Sequence, residues 1–543
     1  MLYFRKKISM MLLAAAAALI LFFGASNAAE ASVRTVAINS ALISGTNVVC
    51  QITASAVPAS DDGLYYVFAN EVWQDGPTGN AVAAVAAAPA VTAVFPLNYN
   101  TPDSNLSRKF LVAVKQGGKL VQVSNEHYIT NPEAVAVHTS PRMNVGIKGL
   151  LPDAARINGT DYKELGIQQI SYNMYLDQLV SAANVPGAIP FGYNGQIYYF
   201  DPNTVAMYDI VVTTFNKQGI AINMVLLNEG KGAYGKHLVH PLAKGGKCPG
   251  YAINVATDQA VDHLKAIAAF LGQRYSGKNG VGQIDNWILG NEINARTSWW
   301  YTSSSSLDVN VNIYAKAFRI FYNELKGMNA NVRLYLSLDQ EWNRKSNPGS
   351  FLSREYLDTF NTCMLGEGNI DWSLAFHPYN APLYDPYAWN GPANWVKTDL
   401  STPYMTMQNI HLLVSYMQQP VFLNPAGQVR SIALSEVGYT SSYGLEAQEA
   451  SVAYGYLKAA SLPDIDAFIL FRQTDAAAEV TQRLAMGLLD PAGNRKPAYE
   501  IYKNLGTKNE GIARARASQI MGMDITQMIN QGIVLTRPGS GAR

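Results

Sequence analysis

With 543 residues, 48% of them hydrophobic and 15% charged, the chain is too long for one ordinary domain and apolar enough for a large core. Its formal charge of +1 at pH 7 falls to about −2 without the three basic residues near the N-terminus, a balance that argues against nucleic acid as a partner. Cys50, Cys248 and Cys363 lie too far apart for a metal knuckle or a redox pair, so they are read as free thiols and no metal or cofactor is expected.

The first 29 residues have the grammar of a secretory signal peptide. Arg5, Lys6 and Lys7 precede an uncharged apolar run over residues 10–23, which ends in the small residues of Gly24-Ala25-Ser26-Asn27-Ala28-Ala29. This predicts a secreted or cell-surface protein with no membrane span after cleavage; an uncleaved anchor is the alternative. The sequence carries no signal for an oligomeric state.

Residues 33–139 contain short alternating runs separated by turn residues. Strands are predicted at 47–55, 64–69 and 110–114, the last joined to 120–123 through a Lys-Gln-Gly-Gly-Lys hairpin signature. Helical periodicity is absent, and the expectation is a small all-β sandwich of immunoglobulin size. It serves either as a spacer or as a carbohydrate-binding module using Trp73 or Tyr99.

From residue 140 strand-like runs alternate with helical ones, the pattern of a parallel sheet with crossover helices. Strands one to eight are predicted at 143–149, 166–172, 220–227, 287–290, 332–338, 372–376, 432–435 and 467–471. Helices are expected at 205–218, 256–274, 314–326 and 495–505. Eight such strands over residues 140–508 fit a closed (β/α)8 barrel with insertions after strands three, four and six, on the rim where active sites are built. Residues 509–543 read as a C-terminal tail.

Two of these strands stop at a glutamate. Trp287-Ile288-Leu289-Gly290-Asn291-Glu292 closes strand four, and Ile432-Ala433-Leu434-Ser435-Glu436 closes strand seven. A lone glutamate after a strand is usually a solvated loop residue, but two delivered to one barrel rim can be the acid and the second carboxylate of a glycosidase. Asp339 and Glu341 after strand five form a rival acid pair. His237 and His240 have a metal-like gap but lack a suitably spaced carboxylate. The loops after strands four and six are rich in aromatics: Trp299, Trp300 and Tyr301 in one, Tyr384, Tyr387, Trp389 and Trp395 in the other. Flat rings suit the apolar faces of sugars, and one of the pair Trp299 and Trp300 is expected to face the substrate.

Asn291-Glu292 at the end of strand four, Glu436 at the end of strand seven and His377-Pro378-Tyr379 at the end of strand six resemble the clan A glycoside hydrolases, retaining (β/α)8 enzymes. The resemblance implies Glu292 as general acid/base and Glu436 as nucleophile. It implies Asn291 on the sugar hydroxyl beside the reacting carbon, with His377 and Tyr379 orienting the nucleophile and lining the site. The chain departs from the clan in having no Arg in strand two and Phe471-Arg472-Gln473 where a Trp is common, so Arg472 is assigned a charge role in the sugar pocket. The expectation is a secreted glycosidase that cleaves β-linked oligo- or polysaccharide with retention. The alternative is a non-catalytic carbohydrate-binding or cell-envelope protein on the same barrel. Arg296, Arg344 and Arg472 leave an acidic sugar open.

Overall fold

The computed structural model describes residues 34–530. The signal segment and residues 531–543 of the tail lie outside the described residues.

Two antiparallel sheets come first. One joins Val36–Ser44, Asn47–Ala54 and Ala90–Pro96; the other joins Ala83–Ala86, Leu64–Asn70, Lys109–Gln116 and Lys119–Gln122, with His127–Tyr128 also on Lys109–Gln116. Burial alternates along Val36–Ser44 and Asn47–Ala54, as a period of two requires when one sheet face meets a core. That core is shared: Ile38, Val48 and Phe95 from one sheet pack with Val67, Phe110 and Val112 from the other. The Ala-rich stretch divides at Pro89 into the strands Ala83–Ala86 and Ala90–Pro96.

Eight parallel strands then close into a barrel: Lys148–Leu150, Gln169–Tyr175, Ala221–Leu227, Asn286–Leu289, Arg333–Asp339, Ser373–His377, Ile432–Val437 and Ile465–Leu470. All eight expected strands are present, the first beginning five residues later than expected, at Lys148, and the second displaced three residues toward the C-terminus. The barrel interior is filled unevenly. Ala375, Ala433 and Ala467 on strands six to eight leave room for the ring of Tyr335 on strand five. Its hydroxyl reaches Asp466 Oδ2 at 3.1 Å, where Arg333 also binds. Polar groups thus close the N-terminal mouth of the barrel.

Helix ends follow local chemistry. Asp201 caps Pro202–Asn216 by accepting the amide of Thr204, and Pro202 at the first position has no amide to leave unpaired. The helix expected at 314–326 runs longer, Leu307–Met328: Ser306 caps it by accepting the amide of Val309, and the alternation of Leu307, Val309, Val311 and Ile313 with polar residues masks the helical period of its first turns. An insertion not anticipated after strand two forms the hairpin Ile189–Tyr193 and Gln196–Phe200.

Two expectations need correction. Residues 509–530 are not a tail: Glu510–Met521 and Ile525–Asn530 are helices that bury Ala513, Ala517, Ile525 and Ile529. They dock on the helix Leu445–Ala460, where Arg516 bonds Glu449 and Glu446. Trp73 and Tyr99 are not open platforms either. Both are half-buried, the Trp73 indole donating to Asp258 Oδ1 at 3.1 Å and the Tyr99 hydroxyl to the carbonyl of Gly327 at 3.3 Å. Among the described residues, no helix is long and apolar enough to cross a membrane.

Candidate active site

Strand four ends in a turn that sets Glu292. Gly290 has φ +77°, and a Cβ there would stand 2.7 Å from Ile293 Cγ2, so the chain can leave the strand this tightly only at glycine. Glu292 itself has φ +40°, rare for a residue with a Cβ; three of the other four such non-glycine positions are asparagines, which tolerate it better. Its amide donates to Ser337 Oγ on strand five at 3.1 Å, which fixes the turn. Glu436 is aimed differently. Between Leu434 and Val437 strand seven advances three residues while strand eight advances two, from Phe468 to Leu470, so one extra residue bulges at Ser435-Glu436. Such a bulge redirects a side chain at a barrel rim.

These two devices bring the glutamates together. His377 Nδ1 at the end of strand six lies 2.8 Å from Glu292 Oε1 and 3.9 Å from Glu436 Oε2. Laid end to end, those distances cap the gap between the two oxygens at about 6.7 Å. The Tyr379 hydroxyl donates to Glu436 Oε2 at 3.0 Å. Burial pushes the Glu436 carboxyl above its ordinary range, while the His377 charge and the Tyr379 hydrogen bond pull it back and the Glu292 charge pushes it up. Burial disfavours the His377 cation, but the charge on Glu436 and the bond to Glu292 outweigh it and raise the imidazole overall.

The pair opens into a cleft of about 460 Å³ on the C-terminal face, lined also by Asn291, Tyr379, Trp299, Asn173 and Phe471. Trp299, 38% exposed, is the ring of the tryptophan pair that faces it. Trp300 does not: at 1% exposure it packs edge-on to Tyr314, and its ring lies against Gly290, where a Cβ would stand 3.1 Å from it. Arg472 is likewise no part of the lining, since its guanidinium pairs with Glu479 at 3.0 Å. His377 is buried behind the two glutamates and does not line the cleft. Asp339 and Glu341, weighed as a rival pair, instead belong to the same cleft. Of the histidines with a metal-like gap, His240 Nδ1 accepts the amide of Leu242 and His237 stacks edge-on with His263.

Asn173, Phe471 and Glu479 were not expected as cleft residues. Asn173 and Phe471 stand at the ends of strands two and eight, a positional signal the sequence did hold. Glu479 sits in a short helical insertion, Ala477–Val480, and no sequence pattern marks it.

Residues 140–529 match the family model described as "Family of unknown function (DUF5722)". The chain belongs to that family. The match spans the DUF5722 barrel together with the two C-terminal helices. No curated protein matches the sequence. Among solved structures, a family 39 glycoside hydrolase from the gut symbiont Bacteroides cellulosilyticus WH2 is similar at 14% identity, with 83% of this chain and 78% of that one covered and a TM-score of 0.41. A glucosidase from Croceicoccus marinus is 12% identical, with 68% and 69% covered and a TM-score of 0.40. A family 1 β-glucosidase from Thermotoga maritima is 9% identical, with 69% and 96% covered and a TM-score of 0.40.

Proposed function

We propose that this DUF5722 protein is a retaining glycoside hydrolase acting on a β-linked oligo- or polysaccharide. The observation that carries the reading is the pair Glu292 and Glu436 at the ends of strands four and seven, bridged by one buried imidazole at the floor of an open cleft. The cap of about 6.7 Å on one pair of their oxygens is compatible with the roughly 5–5.5 Å carboxyl spacing of retaining enzymes, against roughly 6.5–9.5 Å in inverting ones.

In this reading Tyr379 holds Glu436 Oε2, and Oε1, which accepts no hydrogen bond among the described residues, attacks the anomeric carbon. As that bond forms, the bond to the leaving oxygen breaks and Glu292 gives the oxygen its proton. The resulting glycosyl ester on Glu436 is then hydrolysed by a water that returns its proton to Glu292. Asn291 and Trp299 bind the sugar. The reading also includes export by residues 1–29 and a β-sandwich over 33–139 that serves as a spacer beside the barrel at 140–508.

The test is release of sugar from a panel of β-linked polysaccharides by the mature protein, beside Glu292→Gln and Glu436→Gln. Both substitutions are expected to lower the rate by several orders of magnitude with thermal unfolding unchanged. A wild type that binds glycans as well as its variants do and releases nothing makes the barrel a binding scaffold instead.

A further inference from the structure

The arginines that would suit an acidic sugar are all engaged elsewhere. Arg296 is buried and donates to the carbonyls of Gly349 and Thr302; Arg344 lies over the Trp395 ring at 4.9 Å; Arg472 pairs with Glu479. No lysine or arginine lines the cleft, but five carboxylates do: Glu292, Glu436, Glu479, Asp339 and Glu341. The first two are occupied by the proposed chemistry, and the third faces Arg472. Asp339 and Glu341 remain.

These two are built into the strand-five rim, 6% and 7% exposed. Asp339 Oδ1 accepts from Asn294 Nδ2 at 2.8 Å, Ser353 Oγ at 2.9 Å and the Glu341 amide at 2.9 Å. Its Oδ2 accepts from nothing among the described residues. Glu341 shows the same asymmetry: Oε1 takes the amide of Ser346 at 2.8 Å and its hydroxyl, and Oε2 takes none. Each carboxylate is therefore anchored by one oxygen and keeps the other for what enters the cleft. Burial without a counter-charge is costly for such groups. Burial first, then the charges on Glu292 and Glu341, hold the Asp339 carboxyl well above the usual carboxylate range. A cation with several N–H donors would relieve both. A metal ion is the poorer fit, since among the described residues no three His, Cys, Asp or Glu side chains cluster to hold one.

We propose that Asp339 and Glu341 seat the protonated primary amine of an amino sugar, so that the substrate, granted the glycosidase reading, is a β-linked glycan with free amines. The carboxylates accept from the ammonium, and Trp299 takes the apolar face of a ring.

The test is titration calorimetry of the full chain with glucosamine oligomers, N-acetylglucosamine oligomers and glucose oligomers of one length and one β-linkage. It is repeated on the double variant Asp339→Asn, Glu341→Gln. The amine oligomer is expected to bind wild type roughly tenfold to a hundredfold more tightly than either neutral one, the span of a charge-assisted hydrogen bond, and the double variant to lose that preference while still melting cooperatively. Absence of amine-oligomer binding, equal or tighter binding of a neutral oligomer, or a preference that survives the double variant overturns the proposal. So does Ca²⁺ binding that the double variant abolishes. Hydrolysis by wild type separates the two readings: neutral oligomers cleaved in a Glu436-dependent way with no amine preference sink only the amine seat, whereas amine binding with no cleavage of any glycan sinks only the glycosidase.

Discussion

Tyr379 and the tryptophan pair show how much one side chain decides. The Tyr379 hydroxyl is a single donor to Glu436, and a hydrogen bond to a charged group contributes about 1.5–3 kcal/mol. Tyr379→Phe is expected to lower kcat/KM by roughly ten- to a hundredfold at unchanged fold. The same bond pulls the Glu436 carboxyl down against burial. Its loss raises that carboxyl further, so the acid limb of the pH–rate profile should move to higher pH; a limb that stays put or moves lower contradicts the assignment. Trp299 and Trp300 are neighbours in sequence with opposite fates. Trp299→Ala should raise KM with little change in melting, whereas Trp300→Ala removes a buried ring and should cost about 3–5 kcal/mol of stability in chemical denaturation.

Single elements carry their own consequences. The helices Glu510–Met521 and Ile525–Asn530 cover the outer helix Leu445–Ala460, and Lys458 Nζ donates to the carbonyl of Ile529. Removing residues 509–543 uncovers that apolar face and leaves Glu449 without Arg516. The truncated chain is expected to melt several degrees lower and to bind a hydrophobic dye; unaltered melting by calorimetry would return these residues to the status of a tail. The sequence signals the first of them only weakly because two of its three buried residues, Ala513 and Ala517, are alanines, whose small side chains give little amphipathic contrast.

Across the whole molecule, the N-terminal sheets meet the barrel through polar groups. Glu71 bonds Lys265 at 2.6 Å, Ser107 donates to Glu324 at 2.7 Å, and Asn323 donates to the carbonyl of Leu106. Burial lifts the Glu324 carboxyl from 4.5 to about 7. A carboxyl raised in the folded state holds its proton there when the unfolded chain has lost it, so its stabilisation is complete below about 4.5 and is lost as pH rises through about 7. Wild type should lose on the order of 3 kcal/mol relative to Glu324→Gln across that window. Denaturant titrations at pH 4.5, 6 and 8 check it, and a difference that does not change with pH refutes it.

By itself the sequence determined the barrel's eight strands and the two glutamates that end strands four and seven. Buried parallel strands are continuous apolar runs, and a polar residue closing such a run is visible without coordinates. Only the tertiary structure decided which neighbours reach the cleft. Trp300 packs inward against Gly290, which has no Cβ to exclude it, while Trp299 stays at the cleft; the bulge at Ser435-Glu436 turns one carboxylate toward the other. Asp339 and Glu341 could not be told from a rival catalytic pair until the closed barrel placed strands four and five side by side. Side-chain direction at a rim depends on bulges, turns and the pairing of distant strands, and none of these is encoded in local periodicity.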